Sequence, residues 1–274
     1  DKIPVTDPKT LAQGHVSTDG IAQIAALVGL KFASEAADES EVQSAIAGIL
    51  PQLIRNSITE ISWTSTKTEK GIEDKYQIGM PSDVASALTE TLAFGGEVDP
   101  SLFDYVTPDS SSVTLYNFRD PQIAWRSVLL VAQKDTSLIV GKILAELSTT
   151  VFESYGVTNI EKYLSGVGPA IVSVRWDSVD AEPIAIAPIR SRNDVIGSFP
   201  TRELVPAIGI SPNGDESYYA GDKSFGFCIL KTGKIINGNH SKISDSARAP
   251  ENDKEHNSRN TFLSVISSNA AIAT

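Results

Sequence analysis

Apolar positions recur at helical spacing first at Ile21, Ile24, Ala25 and Val28, which predicts a helix from Thr18-Asp19 to about residue 32. Ser40-Glu41-Val42-Gln43 reads as a capping box, the serine taking a free amide and the glutamine reaching back. The helix it opens turns Val42, Ile46, Ile49 and Leu50 inward, and Pro51 either kinks it or begins a further turn. The period then changes from helical to alternating. Residues 58–64 and 74–80 have strand composition, with Glu69-Lys70-Gly71 as the turn of a hairpin. Pro81-Ser82-Asp83 caps a helix with Val84, Ala87, Leu88 and Leu92 on one face, ended by Phe94-Gly95-Gly96. Tyr105 and Val106 start a short extended piece, and residues 113–118 form a β-branched and aromatic strand. Asp120-Pro121 then starts a helix that buries Ile123, Trp125, Val128 and Leu129; the aspartate accepts free amides, and the proline sits where its missing N–H costs nothing.

A long helix is predicted over 136–155, with Leu138, Val140, Ile143, Leu144, Leu147, Val151, Phe152 and Tyr155 as its stripe and Gly156 as a left-handed stop. Thr158-Asn159-Ile160-Glu161 opens a short helix that ends near Gly166 to Gly168. Strands follow over 170–176 and 183–189, a helix from Asn193-Asp194, and strands over 217–220, 225–230 and 234–236. Two weak helices, over 241–248 and 261–270, complete the pattern.

The segment around Ile61-Ser62-Trp63-Thr64-Ser65 is echoed 113 residues later around Val174-Arg175-Trp176-Asp177-Ser178, and Tyr105 stands at the same distance from Tyr218. A fixed step between similar units is a signature of duplication. The expected fold is α+β: internally duplicated units of helix, hairpin, helix, strand and helix, with antiparallel sheets backed by helices. The chain is divided into an extended N-terminal segment over 1–15, a first α+β half over 16–134, and a second over 135–274 that includes the joining helix. Residues 58–130 are expected to match 170–245.

At 274 residues and 41% hydrophobic content the chain can bury a normal core. Its longest uncharged stretches, such as residues 21–30, fall well short of the roughly 20 apolar residues that span a bilayer, so no transmembrane segment is expected. The net charge of −11 repels phosphate backbones and anionic headgroups, which argues against nucleic acid as a partner. Arg190-Ser191-Arg192 is a solvated strand end in this setting. The start at Asp1, followed by the loose Ile3-Pro4-Val5-Thr6-Asp7-Pro8, has the form of a mature terminus left by signal-peptide removal, a form that trimming would also leave. The end at Ala270-Ala271-Ile272-Ala273-Thr274 has that of an internal boundary of a longer polypeptide.

Candidate chemistry is sparse. His15, His240 and His256 lie in polar contexts far apart, without the second group a zinc site or a catalytic triad requires. Asp215, Glu216 and Asp222 surround a turn but lack the spacing of a calcium loop, and Asn213-Gly214 is turn chemistry. Gly166-Val167-Gly168-Pro169 ends a helix and precedes a strand, the reverse of a phosphate loop, so it reads as a cap and close-packing point. Cys228 cannot form an intramolecular disulfide and alternates within a strand as a buried residue; Trp63, Trp125 and Trp176 read as core or interface anchors. No residue is assigned as catalytic, cofactor-binding or metal-ligating, and no metal or organic cofactor is expected.

The run Tyr155-Gly156-Val157-Thr158-Asn159-Ile160-Glu161-Lys162-Tyr163-Leu164 followed by Val167-Gly168-Pro169 carries a resemblance, together with Ser112-Val113-Thr114-Leu115-Tyr116-Asn117-Phe118-Arg119-Asp120-Pro121 and Ala124-Trp125-Arg126. Over residues 103–273 the chain resembles uncharacterised exported bacterial proteins carrying a domain of unknown function. The resemblance implies export, to the periplasm or outside the cell, and an α+β fold; it brings no activity, cofactor or catalytic residue. The expected role is non-catalytic, a protein-binding or assembly component of an envelope or extracellular complex. The alternative is a hydrolase with an acidic cleft between the halves. Carboxylates with raised pKa in a cleft would favour the enzyme, and a large apolar patch at a sheet edge or on a helix the assembly role.

Overall fold

The computed structural model describes residues 8–36, 51, 54–69, 71–133, 149, 151–177, 182–200, 204–206, 216–220, 225–252 and 262–266. The fold is α+β, and the chain divides into two compact units, residues 1–88 with 128–144 and residues 89–127 with 145–274.

The first unit is built on three antiparallel strands in the order β1 (Thr10–Ser17), β2 (Glu60–Thr68) and β3 (Gly71–Gly79). The hairpin β2–β3 lies where alternation and turn chemistry placed it, in unbroken register from Glu60 opposite Gly79 to Thr68 opposite Gly71. Strand β1 takes up residues 10–15 of the segment expected to be merely extended, and its register on β2 shifts between Thr10 and Ala12. Helix α1 (Thr18–Ala36) starts at the predicted residue, where the Ser17 hydroxyl accepts from the Gly20 amide at 3.5 Å and Thr18 Oγ1 donates to the Thr59 carbonyl at 2.6 Å. Its buried line is Ala22 and Ala25, whereas Ile24 and Leu27 are exposed, a rotation from the predicted face. The helix expected after Ser40 lies outside the described residues. Helix α2 (Ser82–Thr91) buries Val84 and Leu88, with Ala87 exposed.

The second unit carries the larger sheet. A 3-10 helix (Pro100–Tyr105) precedes and takes in the first residue of the expected extended piece, because Asp99 accepts from the Ser101 amide and Pro100 occupies the first turn; Val106 after it is extended. Then come β4 (Ser112–Asn117), α3 (Pro121–Gln133), α4 (Ile160–Gly166), β5 (Ala170–Arg175), β6 (Ile184–Pro188), α5 (Arg192–Ile196), β7 (Leu204–Pro206), β8 (Glu216–Ala220), β9 (Gly226–Ile229), β10 (Lys234–Gly238), α6 (His240–Asn252) and β11 (Phe262–Ile266). The strand order is β11-β4-β5-β6-β10-β9-β8-β7, antiparallel throughout except for β11, which runs parallel to β4. The helix predicted over 261–270 is therefore corrected to a strand over 262–266, the described part of that range; Phe262, Val265 and Ile266 suit an extended chain once β4 offers a free edge. Most of the long helix over 136–155 lies outside the described residues, but Gly156 has the left-handed φ of +74° that its stop requires. Asn159, rather than Thr158, caps α4 by accepting from the Lys162 amide at 3.0 Å.

The duplication is not confirmed. Trp63 lies inside the central strand of the small sheet, whereas Trp176 follows the end of β5 in the large one. Strand β4, expected within the first half, pairs with β5 of the second, so the halves at 16–134 and 135–274 do not coincide with the two units. Two aromatic landmarks at one spacing do not determine which strands pair.

Each central strand of the large sheet sends alternate side chains to two cores. Val172 and Val174 of β5, Ile184 and Ile186 of β6, Cys228 of β9 and Ile236 of β10 join Leu102, Tyr105 and Val106 of the 3-10 segment and Ile243 of α6. On the other face, Ala187, Phe227 and Ile235 pack with Tyr163 and Leu164 of α4, Val195 of α5 and Phe199. Trp125 of α3 meets Phe152 edge-on at 5.1 Å, whereas Ile123 and Val128, predicted inward, are exposed.

Two polar arrangements tie helices to this sheet. Buried Tyr163 donates its hydroxyl to Asn237 Oδ1 at 2.9 Å, Asn237 Nδ2 donates to the Tyr155 carbonyl at 2.9 Å, and the Tyr155 hydroxyl lies 2.8 Å from Ser173 Oγ. On the opposite face Lys242 of α6 bonds Asp109 at 2.9 Å and stands 4.7 Å from the centre of the Trp176 ring. Burial pushes the Asp109 carboxyl up, but the Thr107 hydroxyl, the Lys242 ammonium and the Trp176 indole outweigh it and hold the group down at about 2; the indole N–H itself makes no hydrogen bond of standard geometry.

Replacing Tyr163 by Phe strands the Asn237 carbonyl oxygen in the core, so it should cost about 1–3 kcal/mol, read as a lower urea midpoint. Asp109 has its folded pKa below the ordinary 3.8, so its contribution is present above that value and fades as pH falls through about 2. Between about pH 4 and pH 2, wild type should therefore lose more stability than Asp109→Asn; parallel acid-unfolding curves would show that the carboxylate is not held.

Candidate interaction surface

The three-stranded sheet of the first unit keeps a row of apolar side chains in solvent on one face. Register assigns the faces: Gly14, Trp63 and Tyr76 form one row across β1, β2 and β3, and Val16, Ile61 and Ile78 form the next. Ala12, Ser65 and Asp74 continue on that face, and Lys67 with Ile72 ends it. Exposure increases toward β3, where Ile72, Tyr76 and Ile78 are 68%, 67% and 51% accessible; a strand with one buried face would hide these alternate positions. Trp63 and Ile61 are half-buried.

Trp63 lies flat because of its neighbour. A Cβ placed at Gly14 would run into the Trp63 ring, so the absence of a side chain on β1 makes room for the indole on the sheet. The ring and the Tyr76 opposite it make an aromatic shelf leading to the edge.

The reverse face is polar. His15 Nε2 lies 3.0 Å from Glu60 Oε2, Ser62 Oγ 3.5 Å from Gln77 Oε1, and Lys75 Nζ 3.5 Å from Glu73 Oε1. On the apolar face Ser65 donates its hydroxyl to Asp74 in a short hydrogen bond. Among the described residues β3 is paired on one side only, along all nine of its residues.

The other sequence candidates are scattered. His15 is in β1; His240 begins α6 and meets the Tyr219 ring at 4.9 Å; His256 lies outside the described residues, as do Asp215 and Asp222. Glu216 pairs with Arg192, and Ser191 caps α5 by accepting from the Asp194 amide at 3.4 Å. The amides of Val167 and Gly168 are spent on the Tyr163 and Pro188 carbonyls, and a Cβ at Gly166 would meet Val195 at 2.7 Å, so this glycine run packs helix end against strand. Cys228 is fully buried in β9. Glu161 is chelated by Arg126, with Nε 2.8 Å from Oε2, and receives Gln122 at 2.7 Å, which joins α3 to α4.

The electrostatics point away from proton-transfer chemistry at these groups. Asp99, Asp109 and Glu161 are all displaced downward: Asp99 by the Ser101 hydroxyl and amide, Glu161 by the Arg126 guanidinium. Burial pushes the Tyr163 phenol well up, so it remains a neutral hydrogen-bond donor. Among the described residues no three His, Cys, Asp or Glu side chains converge as a metal site, and no helix is long and apolar enough to cross a membrane.

No protein-family model, curated protein or solved structure matches the chain.

Sequence reasoning found the hairpin but not the surface. Ile72-Glu73-Asp74-Lys75-Tyr76-Gln77-Ile78 alternates as a half-buried strand does, and nothing local says that its apolar side meets water. Gly14→Val should tilt the Trp63 indole off the sheet; the expected readout is altered near-ultraviolet circular dichroism and a red-shifted emission component, with helix content retained. Spectra matching wild type would show that the indole does not rest on Gly14.

Proposed function

We propose that this protein is a non-catalytic, exported binding or assembly component that engages another polypeptide through the β3 edge and the apolar face beside it. The observation that supports the reading most is the nine-residue edge strand carrying Ile72, Tyr76 and Ile78 in solvent next to Trp63. An open edge supplies main-chain donors and acceptors to an added strand, and side chains at alternate positions select it. The hydrolase reading calls for carboxylates held neutral, and the displaced carboxylates here are stabilised as ions. Export rests on the resemblance of residues 103–273 to exported bacterial proteins.

A photo-crosslinking amino acid at position 76, introduced in cells of the native source, tests this directly. Covalent capture of a discrete polypeptide from position 76, with little or none from a control at exposed Ser86 of α2, is the expected result. Absence of any polypeptide adduct, or a stoichiometric metal or small molecule co-purifying with turnover activity, would sink the proposal.

A further inference from the structure

Edge strands that persist in solvent are normally shortened, bulged, crossed by proline or charged, and among these β3 uses only charge, at Glu73, Asp74 and Lys75. The first unit treats its two edges differently. Strand β1 is irregular, with its register shift between Thr10 and Ala12, while β3 keeps one register over its whole length and carries no proline. In the second unit the edge strand β7 has three residues and ends in Pro206, a typical blunted edge. The open β3 edge is thus longer than either edge of the large sheet, β7 or the five-residue β11, and more regular than β1.

Its sequence is complementary to itself. A twofold axis normal to the sheet keeps the apolar face on one side, so a second copy can add to β3 only in antiparallel registers that differ by two residues. Centred on Asp74, the pairing sets Glu73 of each copy opposite Lys75 of the other and Ile72 of each opposite Tyr76 of the other. Two opposite-charge pairs then lie on the polar face and two aliphatic–aromatic pairs on the apolar face, both favourable across strands. Moving the centre to Lys75 sets lysine against lysine and leaves Glu73 against Gln77; moving it to Tyr76 leaves Lys75 against Gln77. The cost of the Asp74 register is the meeting of two Asp74 side chains at the axis, each already accepting the Ser65 hydroxyl of its own copy.

We propose that the occupant of the β3 edge is a second copy of this chain, paired antiparallel about Asp74 through Glu73–Lys75 contacts, so that two three-stranded sheets become one of six strands. This rests on the assembly reading above and names its partner. The apolar shelf formed by Trp63 and Tyr76 is doubled in area on one side of the joined sheet.

Sedimentation equilibrium of the full chain, up to about 100 µM, decides it. Wild type should show concentration-dependent dimers. Glu73→Lys and Lys75→Glu should each weaken self-association by about tenfold or more, since each turns both attractive pairs into repulsive ones. An equimolar mixture of the two variants should form heterodimers, the double swap should restore the homodimer, and Asp74→Asn should tighten it. All positions are exposed, and circular dichroism confirms that each variant is folded. A wild type that stays monomeric, or a mixture that fails to pair, overturns the proposal. If position 76 then captures a different polypeptide in cells, the binding reading stands without self-pairing; if it captures none, both fall.

Discussion

A single asparagine amide in the buried middle of a sheet holds the second unit in register. Strand β10 is buried along its whole length between β6 and β9, and Asn237 presents a polar group to the face that α4 covers. An unpaired amide in that position would cost several kcal/mol, so Tyr163 and the Tyr155 carbonyl must arrive together for the layer to close. Ring packing then extends outward from this point. Tyr163 touches Phe152 and Phe199, Phe152 touches Trp125, and Phe199 stacks on Phe227 at 4.4 Å, next to Tyr218. The hydrogen bonds fix which ring goes where, and the rings supply the buried area.

What could be read from the sequence followed local chemistry. The starts of α1 at Thr18-Asp19, of α3 at Asp120-Pro121 and of α4 within Thr158–Glu161 were legible, with Ser17 and Asn159 as the actual caps of the first and last, because capping depends on side chains within a few residues of the amides they satisfy. The β2–β3 hairpin and β4 were equally plain. What stayed hidden depends on distant partners. Residues 262–266 form a strand because β4 pairs with them, and Thr10–Ser17 forms one because β2 does. On α1 and α3 the larger apolar residues Ile24, Leu27, Ile123 and Val128 face solvent while alanines 22, 25 and 124 are buried, so burial there was set by how closely neighbours approach and not by residue size. The interaction surface was invisible for a related reason: alternation tells which residues share a face but not whether anything lies over it.

The two sheets show two answers to the same problem. Both faces of the large sheet are covered, and its β7 edge is short and ends in proline. In the small sheet β3 has neither protection, although its alternating charges keep the reverse face soluble. A strand of this length guarded by charge alone is an open template for a partner of matching charge.

The irregular register near Thr10 on β1 makes the two edges of the small sheet unequal. A sheet with two regular edges can take up copies at both and grow as a ribbon, the geometry of fibres; a sheet with one regular edge saturates after a single addition. For the proposed pair, the shift between Thr10 and Ala12 makes β1 a poorer acceptor than β3, so smoothing it would favour a contact that propagates over one that terminates.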